Sequence, residues 1–174
     1  MSEKIYILNE NGTVKGVAPR DVVHENGMLH SAVQCWIMNS DGQILIQRRA
    51  ATKDKSAGKW DVSFGGHCVE TNEPDYVIYN VIKEGKEELG LILSADEMIK
   101  LGEVRYTSQE NKNNELLSIF LIKSDNLKKF NFMDGEVSEV QWISIDNLYH
   151  NILTNPKEYA NRLGAISLLM LYKR

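Results

Sequence analysis

Gly65-Gly66-His67-Cys68-Val69-Glu70-Thr71-Asn72-Glu73-Pro74, continuing to Lys83-Glu84-Gly85-Lys86-Glu87-Glu88-Leu89-Gly90, is the stretch around which the chain is organised. Its second half predicts a helix. Val77, Ile78, Val81, Ile82 and Leu89 recur at helical spacing, Asn72 can cap the start and Gly90 can end it. Glu84, Glu87 and Glu88 then stand at i, i+3 and i+4 and project from one face. Like charges at that spacing repel by roughly 0.2–0.5 kcal/mol per pair, and a divalent cation held between the oxygens is the usual reason to tolerate this. A lone acidic run is more often a solvated face. Here a glycine pair precedes the helix, where backbone N–H groups and close approach suit a phosphate, and this favours the metal reading.

Glycine pair, loop, then basic-Glu-x-x-Glu-Glu-x-Gly on a helix resembles the Nudix box. The matching residues are Gly66, Glu84, Glu87, Glu88, Gly90 and Leu91. Lys83 stands where the family has Arg, Gly85 stands where it has an aliphatic residue, and Gly66 to Lys83 is three residues longer than the pattern. The extra length is assigned to the loop from Cys68 to Asp75, which leaves both Glu70 and Glu73 open as the counterpart of the family's first Glu. The resemblance implies an α/β (α+β) fold, an α/β/α sandwich with a mixed sheet. It also implies Glu84, Glu87 and Glu88 as the catalytic ligands of Mg²⁺, or of Mn²⁺.

The remaining candidates follow from position. Arg48, Arg49 and Lys53 lie between an apolar strand and the glycine pair, where they can grip phosphates together with Gly65 and Gly66. Lys83, next to Glu84, is expected to orient that carboxylate rather than touch substrate. His24, His30 and His67, singly unremarkable, fall with Glu115 in an order similar to that of the type I isopentenyl-diphosphate isomerases, a Nudix branch. There the corresponding residues bind a metal, so a second divalent-cation site is expected here. The isomerases also carry a catalytic Cys directly before the Gly-His. This chain has Gly65 there, and Cys68 lies beyond His67.

With 174 residues, 43% hydrophobic and 25% charged, the chain reads as one domain over residues 1–174. A net charge of -4 argues against a general nucleic-acid or anionic-membrane binder. Two cysteines give no disulfide framework, and Cys35, in an apolar strand, is expected in the core. The start lacks a signal-peptide pattern and no apolar run approaches a membrane span, so a soluble cytoplasmic protein is expected, monomer or homodimer.

Along the chain, hairpins are predicted at Ile5–Val17, with Pro19 ending the second strand, and at Ala32–Gln47. Single strands are predicted at Trp60–Phe64, Leu101–Tyr106, Glu115–Lys123 and Val137–Ile143, and helices at Asp146–Leu153 and Glu158–Tyr172. Thr107–Asn114 reads as a polar loop, and Asp134, Glu136 and Glu139 as an acidic one. The readings that follow are a hydrolase of a small organic diphosphate, with a nucleoside as its organic half; an isopentenyl-diphosphate isomerase; and a sensor that binds a diphosphate without turnover.

Overall fold

The computed structural model describes residues 2–53, 55–109, 112–125, 127, 129–133 and 135–172. Asp134 lies outside them. Strands β1 (Lys4–Leu8) and β2 (Val14–Pro19) form the first hairpin, closed at Gly12 with a φ of 82°. Pro19 does not cut β2 short, because it pairs with Lys4 as the strand's last residue and then leads into helix α1 (Arg20–Glu25). That helix was not expected. Six residues with one buried apolar side chain, Val23, give no readable periodicity.

Strand β3 (His30–Met38) is buried along its whole length and organises the sheet. It pairs in parallel with β8 (Asn113–Lys123), from His30↔Glu115 to Met38↔Lys123, and antiparallel with β1, β4 (Gln43–Arg49) and β6 (Phe64–His67). Strand β4 pairs with β5 (Trp60–Asp61) and β9 (Val137–Ser144), and β7 (Ile99–Ser108) with β8. The sheet is therefore mixed, as expected. The β7–β8 strands reach further into the predicted polar loop than the sequence indicated, to Ser108 and from Asn113.

Strands β3 and β4 pair only at Ile37↔Leu45 and Met38↔Ile44, then part. At the fork, the Ser63 hydroxyl donates to the Leu45 carbonyl at 2.6 Å and accepts from the Ile37 N–H at 2.8 Å. This corrects the single strand predicted over Trp60–Phe64: the chain pairs with β4, crosses at Ser63, and then pairs with β3.

Alternation along the strands loads both faces. Ala32, Trp36, Ile44, Ile46, Leu117, Ile119 and Leu121 pack against α3 (Ile145–Thr154) and α4 (Leu163–Tyr172). Val33, Cys35, Ile37, Leu45, Phe120 and Ile122 pack against α2 (Tyr76–Leu89). Helix, sheet and helix make the expected three layers. The last helix starts at Leu163 rather than Glu158. Residues before it bond to strand β5 instead, with Trp60 N–H donating to the Glu158 carbonyl and Ala160 N–H to that of Trp60.

Candidate active site

Helix α2 is built as its sequence dictates, apart from its cap. Asp75, not Asn72, accepts from the Val77 and Ile78 N–H groups, because the added loop residues push the helix start to Tyr76. Gly90 ends it with a φ of 70°. The extra length is absorbed ahead of the cap, and the glutamate register is untouched. Gly85 fits because a Cβ there would lie 2.6 Å from Leu93 Cδ1. Glu70 pairs with Lys4 on the surface and Glu73 is exposed.

The three carboxylates have different surroundings. Glu84 and Glu87 line a cavity of about 710 Å³, while Glu88, 2% exposed, sits just behind its wall. Glu88 Oε2 accepts from Gln47 Nε2 at 2.8 Å and from the Gly65 N–H at 3.1 Å. Lys83 Nζ bridges Glu84 Oε1 at 3.1 Å and Glu87 Oε2 at 2.7 Å, the orienting contact expected of it. Burial pushes Glu84 up to about 7 against the pull of Lys83. Burial, then the neighbouring Glu84 charge, push Glu88 up to about 8 against Gln47 and Gly65. Burial thus outweighs the nearby cations, Lys83 at Glu84 and Arg49 at Glu88, and the hard oxygen donors fit Mg²⁺.

The glycine pair lies inside β6 rather than in a loop, and its function is close approach. A Cβ on Gly65 would meet the Val33 carbonyl oxygen at 2.4 Å, and one on Gly66 would meet Glu84 Oε2 at 2.4 Å. The Gly65 N–H serves Glu88, so a phosphate cradle from that group is not what the strand provides.

Of the basic set, Arg49 and Lys53 line the cavity. Arg49 Nε donates to the Lys55 carbonyl at 3.1 Å, and its NH1 lies 3.6 Å from Asp61 Oδ2. Lys53 pairs with Glu136. Arg48 is a correction. The next residue along a strand faces the other way, so Arg48 lies over the Trp60 ring at 5.7 Å and bonds Glu139 at 3.1 Å, outside the cavity lining.

His24, His30 and His67 come together from α1, β3 and β6, with a ligand nitrogen of each within 4.8 Å of the others. The His30↔Glu115 pairing of β3 with β8, and Ala32↔His67 of β3 with β6, bring them there. His67 Nε2 lies 3.5 Å from Glu115 Oε1, His30 Nε2 3.8 Å from it, and His24 Nε2 3.2 Å from His67 Nε2. His30 Nδ1 donates to the Met28 carbonyl at 2.8 Å, which turns Nε2 inward. Burial, aided by the charges of Lys55, His67, His30 and Arg20, lowers His24 to about 4. Burial also lowers His67. At Glu115 burial acts upward but is outweighed by the His30 and His67 contacts, so the carboxyl stays well below its ordinary value. Three imidazoles beside one carboxylate form an N/O donor set that fits a divalent transition metal.

Several cavity residues had no signal in their spacing. Arg162, just before α4, donates twice to buried Asp61, at 2.6 and 2.8 Å, from 101 residues away. Gln34, Gln47 and Asn113 are amides buried in the cavity wall, and Arg20 lines it too. Gln47 was detectable in principle, as a polar residue following the apolar run of β4.

The fold and this glutamate helix define a class, and the NUDIX domain family model matches residues 28–163: the chain belongs to the Nudix family. Among particular relatives, the isopentenyl-diphosphate Δ-isomerase of Escherichia coli O7:K1 is 29% identical over 161 residues, covering 89% of this chain and 84% of that one. Nudix hydrolase 3 of Arabidopsis thaliana is 32% identical over 161 residues, 87% of this chain but only 20% of that longer protein. The crystal structure of DR0079 from Deinococcus radiodurans superposes with a TM-score of 0.73 at 23% identity, over 98% of this chain and 99% of its own.

Proposed function

We propose that the protein is a Mg²⁺-dependent hydrolase that cleaves the diphosphate linkage of a small organic diphosphate. One observation carries the reading. Glu84 and Glu87 open on the same cavity as Arg49 and Lys53, with Glu88 directly behind, so metal ligands and phosphate cations face one volume. Glu84, Glu87 and Glu88 would hold the cation, Glu88 through Oε1, since both its protein contacts fall on Oε2. Bound there, Mg²⁺ supplies charge neutralisation at phosphorus and a more acidic water. Lys83 holds Glu84 and Glu87 in place, Gln47 and the Gly65 N–H hold Glu88, and Arg49 and Lys53 grip the phosphate oxygens.

Isomerisation is the second reading, favoured by the histidine cluster with Glu115 and by the names of the bacterial relatives. Against it stands the thiol. Cys68 is fully buried in the core beneath α2, where burial pushes it up to about 12, whereas His67 faces the cavity. Phosphorus NMR with Mg²⁺ and a panel of nucleoside diphosphates, nucleotide sugars and isopentenyl diphosphate tests both. Loss of a diphosphate signal with wild type and not with Glu88→Gln is the expected result. Unchanged phosphorus spectra with a changed isopentenyl proton spectrum would replace hydrolysis by isomerisation.

A further inference from the structure

The inner side of β7 pairs with β8 along its length, from Ile99↔Leu121 to Ser108↔Asn113. Among the described residues no strand pairs with its outer side. The core reaches this edge half covered. Ile99, Leu101, Val104 and Tyr106 pack against the cluster beneath α3 and α4 yet are only partly buried. Gly164, Leu168 and Leu171 share the face of α4 that borders them: a Cβ on Gly164 would lie 2.7 Å from Val104 Cγ1, and one on Gly102 3.3 Å from Leu168 Cδ1. Leu171 is 64% exposed. A long apolar strand edge of this kind is a template for a further strand.

The charges on the other face of β7 choose that strand. Glu103 and Arg105 stand there two residues apart, both exposed. Lys100 donates to Glu103 at 2.8 Å, and Arg105 to Glu10 at 2.6 Å. Residues directly opposite one another in an antiparallel pair share a face, so two copies of one strand related by a two-fold axis place one residue opposite itself. With Glu103 or Arg105 at the axis, like charges meet. With Val104 there, Glu103 of each copy meets Arg105 of the other, a favourable pair made twice.

We propose that the outer edge of β7 is the interface of a symmetric dimer, in which a second copy of this chain adds its own β7 antiparallel, with Val104 at the two-fold axis. On each side of the axis the charges then alternate, from Lys100 and Glu103 of one copy to Arg105 and Glu10 of the other. The bulge between Lys100 and Gly102 confines the new ladder to residues 102–106. The two α4 helices lie on the same side of the joined sheet, with their Gly164 flanks toward each other. Pairing consumes both β7 edges, so this contact closes at two copies.

Sedimentation velocity of the full chain over a dilution series tests the interface, and a reversible species of twice the chain mass is expected. Arg105→Glu alone and Glu103→Arg alone each turn both cross-axis pairs into like charges, and each should weaken dimerisation about tenfold or more. An equimolar mixture of the two variants restores both opposite-charge pairs and should associate as wild type does. Hydrogen exchange of the wild type, which needs no variant to fold, should slow at residues 102–106 as concentration rises. A monomer at every concentration, a dimer indifferent to both reversals, a mixture no tighter than its components, or unchanged exchange along β7 would overturn the assignment of this edge.

Discussion

Gly65 and Gly66 are neighbours in one strand, yet a methyl group on each should have opposite consequences. On Gly65 it meets backbone, the Val33 carbonyl at 2.4 Å, which cannot yield without parting β6 from β3. Gly65→Ala is expected to cost about 1–3 kcal/mol in urea unfolding. On Gly66 the methyl meets the end of the Glu84 side chain, which can swing aside. Gly66→Ala should keep its melting temperature within a few degrees while Mg²⁺-dependent turnover falls about a hundredfold. Equal effects in both assays would contradict the assignment of Glu84. The same carboxylates set a pH dependence. Unfolded glutamates titrate near 4.5, and folded Glu84 and Glu88 near 7 and 8. Between these values the folded state binds more protons, so metal-free stability must fall as pH rises from about 4.5 to about 8. Thermal melts in chelator across that window should show the decline, flatter in Glu88→Gln. Asp61, held below its ordinary value despite burial by Arg162 and Arg49, acts in a separate window, where its contribution is lost only as pH falls below about 3.8.

At the scale of elements, the glutamate helix was legible and the segment before α4 was not. Five apolar residues at helical spacing and a closing glycine announce α2 whatever surrounds it. Residues 158–162 carry no such local rule. Their backbone bonds to β5 and their Arg162 to Asp61, partners about 100 residues away. For the same reason β5 and β6 read as one strand, because only the tertiary fork at Ser63 divides them. The Arg162–Asp61 pair ties the last helix to the cavity floor, and Asp61→Asn strands a largely buried guanidinium. Urea denaturation of that variant should show a loss of about 3–5 kcal/mol. A loss below about 1 kcal/mol would mean that the pair is effectively solvated.

Across the whole molecule, the candidate cavity draws on α1, α2 and strands β3 to β8, and on the loop before β5. The histidines could be ordered along the sequence by resemblance, but nothing in their positions, 24, 30 and 67, places three rings on one point. The sheet does that, through β6 and β8 on either side of β3. The two candidate metal sites, built from different donors, should separate in analysis. His30→Ala is expected to lower the transition-metal content of the purified protein, measured by plasma emission, and Glu88→Gln to leave it unchanged. A drop in both would indicate a single shared centre. Among the described residues no helix is long and apolar enough to cross a membrane.

The parallel pairing of β3 with β8 also bears on synthesis. His30 reaches the ribosome exit some 85 residues before Glu115, its register partner. Until β8 has emerged, the nascent chain holds three imidazoles and no carboxylate beside them, and β3 lacks its parallel neighbour. Long-range parallel strands are among the last and slowest contacts to form. Assembly of the histidine–carboxylate cluster is thus tied to near-completion of the chain, and a truncated product ending before β8 would lack the one carboxylate of that candidate donor set.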